Sequence, residues 1–203
     1  MSRYILAILA LVVCGGAAYA NPVHNPAASV PGKQTVWVPA GAMTVTVTAG
    51  AAGLATAEST AGRPDMSVQD FDKDSDEHVQ FSIGMPKNWD EGTITFQLMW
   101  TQAAGSTTGV AFGLQCLALG DSDTFDAVFG TAVLVTDDGL DTAKDLMISA
   151  ESSAITVGGT PAESDIIVCD LYRDVSDGND DLAADARVVG IRVHYTTDAN
   201  NDD

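Results

Sequence analysis

Two acidic runs are the first candidates for chemistry in this chain. In DFDKDSDE, Asp70, Asp72, Asp74 and Asp76 stand at alternate positions, and oxygen ligands spaced this way are how a calcium loop begins. The pattern then departs from an EF-hand. Ser75 stands where the loop needs glycine, and Phe81 where a bidentate glutamate belongs. A second run, DVSDGNDD, offers Asp174, Asp177, Asn179, Asp180 and Asp181 around Gly178. Asp-Gly and Asn-Asp are equally the signals of solvated turns. Both runs stand as calcium candidates against the plainer reading of acidic turns, and loops that meet at one end of a fold can share an ion.

Other side chains able to do chemistry are sparse or scattered. His24, His78 and His194 show no H-x-H or H-E-x-x-H spacing, so a zinc site is not indicated. No G-x-S-x-G nucleophile elbow occurs. Paired acids for glycoside hydrolysis cannot be picked out of 28 Asp and Glu residues. The chain therefore reads as non-enzymatic. Among Trp37, Trp89, Trp100, Tyr172 and Tyr195, any exposed ring offers a platform for stacking on a sugar. Trp100 and Tyr195 fall on the apolar side of their strands. Trp89, in the turn Pro86–Gly92, is the candidate for the exposed platform.

The elements that must position these residues are strands. Thr93, Thr95, Gln97 and Met99 alternate with Ile94, Phe96, Leu98 and Trp100. Near the C-terminus, Arg192 and His194 alternate with Ile191, Val193 and Tyr195. A period of two marks strands with one buried and one wet face. Further strands are expected at 35–38, 43–48, 78–83, 145–150, 154–157 and 165–172. Residues 110–119 and 128–136 are more continuously apolar, as strands buried on both faces are. Residues 50–66 read as a long loop, 121–126 as one helical turn and 198–203 as an acidic tail. No window sustains a helical period. The fold class is all-β, a two-sheet, jelly-roll-like β-sandwich.

The N-terminus carries an export pattern. Arg3 precedes an apolar run from Tyr4 to Ala18, and Ala18-Tyr19-Ala20 supplies a small-x-small cleavage signal. At roughly 15 residues the run is short for a membrane span. Residues 1–20 are thus a signal peptide or, uncleaved, an anchor and the chain's one expected contact with a membrane. Residues 21–34, with three prolines, form a linker, and 35–203 the sandwich. In an exported chain Cys116 and Cys169 are candidates for a disulfide, which would stabilise by roughly 4 kcal/mol. Each also lies in an apolar segment where a free thiol packs as a small hydrophobe.

Nine basic residues against 28 acidic ones give a formal net charge of −19. That balance excludes nucleic-acid binding by phosphate neutralisation, which needs clustered Lys and Arg. It favours solubility and is screened by salt within about 8–10 Å.

The segments MPKNWDEGTITFQLMW, GVAFGLQCLALGDSD, FGTAVLVTDD and RDVSDGNDDLAADARVVGIRVHYTTD together resemble small virion-associated proteins of tailed bacteriophages, marine ones especially. The resemblance covers Phe71 to Asp198. It implies a jelly-roll structural protein that joins copies of itself or other virion or surface components, with no catalytic residue set. The expected function is non-enzymatic assembly of a viral particle or surface appendage, through homo-oligomers. The alternative is an exported, lectin-like module that binds glycans, with calcium as its candidate cofactor.

Overall fold

A computed structural model describes residues 32–199, which form two facing antiparallel sheets. The strands are β1 (Lys33–Pro39), β2 (Thr44–Val45), β3 (Ala55–Ala57), β4 (Met66–Phe71), β5 (Glu77–Gly84), β6 (Thr95–Thr101), β7 (Gly109–Leu119), β8 (Val133–Asp138), β9 (Met147–Ile148), β10 (Ile166–Arg173) and β11 (Ala186–Thr196). A single 3-10 turn, Ala40–Ala42, follows β1. One sheet runs β3-β4-β11-β6-β9, with β1 also paired to β11; the other runs β2-β5-β10-β7-β8. We name each sheet for its central strand, β11 or β10.

Strand order defines the architecture. β4 pairs with β11, β5 with β10, β6 with β9, and β7 with β8. These are the pairs of one long hairpin whose tip is the β7–β8 loop, wrapped so that successive pairs fall in alternate sheets. That arrangement is a jelly roll of eight strands. The three strands before β4 are an addition to it: β1 runs along the Gly190–Thr196 half of β11, which β4 leaves open.

The core lies where the inward halves of the alternations meet. Ile94, Phe96, Leu98 and Trp100 are buried on one side of it, and Ile167, Cys169 and Leu171 on the other. Phe71 meets Phe112 edge-on, with ring centroids 5.0 Å apart. Each fully buried side chain of this size contributes roughly 1.5–3 kcal/mol. Cys116 and Cys169 stand directly opposite each other on β7 and β10, bonded as a disulfide with Cα atoms 4.1 Å apart and both residues inaccessible.

Several elements differ from the sequence expectation. β1 begins at Lys33, inside the segment read as linker. The supposed loop at 50–66 contains β3 and the first residue of β4. β4 lacks a clean alternation because Gln69, 1% exposed, occupies an inward place. Residues 121–126 form turns and bends without a helix. β8 starts only at Val133, and Val128 is exposed rather than buried. The cause is a competing strand edge: Gly158 bridges Leu117 and donates its N–H to the Cys116 carbonyl at 2.9 Å, occupying the last part of β7. Residues 1–20, expected to be a signal peptide or an anchor, most of the expected linker and residues 200–203 of the expected acidic tail lie outside the described residues. Among the described residues no helix is long and apolar enough to cross a membrane.

Candidate functional site

The two acidic runs do meet at one end of the sandwich, where the Asp76 carboxylate accepts the Val175 N–H at 3.0 Å. Their organiser is an arginine. Ile167, Cys169 and Leu171 point inward along β10, and the next residue in that alternation is Arg173, fully buried. Its Nη2 and Nε donate to Asp180 at 2.7 and 2.9 Å. Nη1 donates to the carbonyls of Phe71, Asp72 and Ala184, and Nη2 also to that of Leu182. Every guanidinium N–H therefore has an acceptor, which is what lets so polar a group be buried. The second Asp180 oxygen also accepts the Ala111 N–H at 3.0 Å. Arg173 thus pins the 174–185 loop to the ends of β4 and β7, and stands among the carbonyls and carboxylate with the charge an ion would bring. The apolar alternation that runs through it was the available sequence signal.

The remaining candidate calcium ligands face local donors. Asp72 accepts the Asp74 N–H at 2.5 Å, and Asp74 pairs with Lys73 at 2.6 Å. Asp174 accepts from the N–H and hydroxyl of Ser176, and Asp177 from the N–H and amide of Asn179. Asp70 faces Arg187 at 3.4 Å; burial raises its carboxyl above the ordinary range and the arginine pulls it back. Among the described residues no group of three or more His, Cys, Asp or Glu is placed to hold a metal ion.

Trp89 corrects an expectation. It is 1% exposed, so it offers no stacking platform. The Pro86–Gly92 turn folds against the far end of β11: Trp89 bridges Thr197, and the Asp90 N–H donates to the Thr196 carbonyl at 3.0 Å. That crossing carries the indole into the core. His24 lies outside the described residues, and His78 and His194 make no catalytic set among the described residues. His78 Nδ1 lies 2.9 Å from Asp170, with no hydroxyl or thiol bonded to the ring among the described residues. His194 Nδ1 lies 2.9 Å from Thr35 Oγ1, while its Nε2 is buried without a partner and burial lowers its pKa. No carboxylate orients that ring by a hydrogen bond, so neither pair has the geometry of a nucleophile, base and orienter.

The surface with recognisable binding character lies elsewhere, on the outer face of the β11 sheet, and sequence reasoning missed it. Two adjoining cavities of about 290 and 370 Å³ share Met66, Leu146 and Val189 as lining. Met99 and a bulge in β11 between Val188 and Gly190 shape the floor, with Val68, Met99 and Val189 buried together there. Gly190 is required at this bend: a Cβ would meet the Trp37 ring and the Val38 carbonyl at 2.5 Å. Trp37, Met66, Leu146 and Ile148 line the groove and are 40–52% exposed.

The groove is also where positive charge collects. Arg63, Lys144, Arg187 and Arg192 line it, four of the nine basic residues in the whole chain. Arg187 faces Asp70, and Lys144 donates to the Ser59 carbonyl at 3.0 Å. Arg63 and Arg192 are exposed and have no acidic partner among the described residues. An apolar trough edged by cations, two of them without an acidic partner among the described residues, is suited to an occupant that is apolar and acidic.

The fold and this surface define a jelly-roll domain with an apolar, basic-edged outer groove. No protein family matches the chain, and no characterised protein matches it in sequence. Solved structures resemble it in shape alone. They include an isomalto-dextranase of Arthrobacter globiformis T6 complexed with panose, 16% identical, covering 78% of this chain and 23% of that one, TM-score 0.43. A second is the CBM36-1 domain of a multidomain xylanase from the hindgut metagenome of Trinervitermes trinervoides, 10% identical, covering 80% and 96%, TM-score 0.38. A third is infectious bursal disease virus, Gx strain, 15% identical, covering 84% and 34%, TM-score 0.38. The chain spans less than a quarter of the isomalto-dextranase, 23% of its length. The jelly-roll assignment rests on strand order and not on these likenesses.

Proposed function

We propose that the protein is a non-enzymatic structural component that assembles with copies of itself, on a viral particle or surface appendage, through the outer face of its β11 sheet. One observation carries this reading: the apolar groove and its edge of cations in an otherwise strongly acidic chain. Exposed apolar area of this kind, bordered by polar groups, is characteristic of protein interaction sites. The virion or appendage setting is what the resemblance of residues 71–198 implies, and no family or characterised protein matches the chain in sequence. Light scattering coupled to size exclusion, at rising protein concentration, tests it. A defined oligomer supports the proposal, and a well-folded protein that stays monomeric at every concentration removes it.

The alternative, a glycan-binding module, now rests on Trp37, whose indole lies over Gly190 in the same groove. Sugar hydroxyls need several hydrogen-bonding groups around a stacking ring. Here Trp37 is bordered chiefly by Met66, Met99, Leu146 and Ile148, with Thr35 and Arg192 as the polar groups. Glycan-array binding that disappears with Trp37→Ala would favour this second reading.

A further inference from the structure

The self-assembly reading leaves open what fills the groove, and the molecule carries a matching projection. The β7–β8 loop, the tip of the wrapped hairpin, holds Phe125 at 88% and Val128 at 86% exposure. These two side chains are flanked by Asp121, Asp123 and Asp126. Local bonds brace the loop: the Gly120 N–H donates to Asp123 at 2.9 Å, the Asp126 N–H to Thr124 Oγ1 at 3.1 Å, and the Gly130 N–H to the Cys116 carbonyl at 3.0 Å. The ring of Phe125 stands in water, where an isolated domain gains nothing from it.

We propose that this loop of one copy seats in the β11-sheet groove of a second copy, Phe125 and Val128 against its apolar floor and the three aspartates toward its cations. The inference rests on the self-assembly reading and supplies its contact. Charge decides the pairing. Groove against groove would bring the unpartnered Arg63 and Arg192 of one copy up to those of the other, whereas loop against groove sets acids opposite them. Position decides that two molecules are needed. The loop begins and ends in strands of the β10 sheet and packs beside Leu117 and Gly159, while the groove lies on the outside of the other sheet.

The test is complementation between two surface variants of the full chain. Phe125→Ser with Val128→Ser disables the loop, and Leu146→Asp with Ile148→Asp disables the groove; all four side chains are exposed. Each variant alone is expected to be monomeric, with association weakened roughly 100-fold or more. Mixed, the two are expected to form a one-to-one heterodimer, since each retains the half that the other lacks. A wild-type protein that is itself monomeric overturns the self-assembly reading. A loop variant that assembles like wild type, or a mixture of two monomeric variants that stays monomeric, overturns the loop contact and leaves that reading standing. Circular dichroism and thermal melting confirm that each variant is folded.

Discussion

The outer faces of the two sheets come from the same alternation of side chains and are opposite in character. On the β10 sheet, Asp170 is nearly inaccessible and accepts from Gln115 at 3.0 Å and Gln80 at 3.4 Å, with His78 at 2.9 Å. Tyr172 stacks on His78 at 5.1 Å and covers Gly113, which has no side chain of its own there. On the β11 sheet, Trp37 lies over Gly190 in a similar way, but its surroundings are apolar side chains left in water and Arg192, which has no acidic partner among the described residues. The first face satisfies its own polar groups. The second leaves apolar side chains and an arginine facing solvent.

The same type of substitution should therefore have different consequences in the two settings. The largest effect is expected at neither face but at the buried reference case. Arg173→Met leaves Asp180 buried and unpaired, and should cost about 3–5 kcal/mol in denaturant unfolding. Arg192→Met, at an exposed arginine without an acidic partner, should leave stability within about 0.5 kcal/mol and weaken self-association. Equal stability losses in the two variants would erase the distinction between a structural and a docking cation.

Asp170→Ala strands the donors that converge on it, at a cost of roughly 1–3 kcal/mol. Oligomer mass should nonetheless stay at the wild-type value once the variant is folded; dissociation would mean that the β10 face also takes part in assembly. Gly190→Ala and Gly113→Ala compare the two covered glycines. At Gly190 the new methyl meets the Val38 carbonyl as well as the indole, so roughly 1–3 kcal/mol of strain should accompany weaker assembly. At Gly113 only the Tyr172 ring must swing aside, so a smaller loss of melting temperature and an unchanged oligomer are expected.

The smallest effect concerns pH. Burial lowers the His194 pKa, so the unfolded chain, titrating near 6.5, takes up that proton before the folded one does. The stability tied to neutral His194 is complete above about pH 6.5 and is lost as pH falls through the folded value. Asp70 and Asp137, both raised by burial, act in the opposite sense: their contribution is present at low pH and lost as pH rises through their folded values. Comparison with His194→Gln isolates the histidine. Wild type should lose more melting temperature than the variant between pH 7 and pH 5, and parallel curves would remove the assignment.

Much of the fold was legible residue by residue. In β6 and β11 the inward alternation was readable: Phe96, Leu98, Trp100, Ile191 and Val193 are buried as their spacing requires, with Ile94 just ahead of β6, while Met99 and Val189 are apolar residues on the outer face. β4 was not legible, because Gln69 sits where an apolar residue would have announced the strand. Arg173 was legible in principle, as the charged continuation of an inward alternation, and was passed over for the aspartates beside it. Trp89 was not: its burial depends on a turn at residues 86–92 crossing the end of a strand a hundred positions away.

The groove is the clearest case of something no local pattern encodes. Period two decides for each strand which side chains leave the core, because successive Cβ atoms point to opposite faces. Composition likewise decides the net charge. Neither says which strands become neighbours. Trp37, Met66, Met99, Leu146, Ile148 and Val189 share one surface only because hydrogen bonding aligns β1 and β4 along β11, β11 beside β6, and β6 beside β9. Outward-facing side chains become one groove through long-range pairing, and that pairing is set by how the whole hairpin wraps to bury its inner faces together.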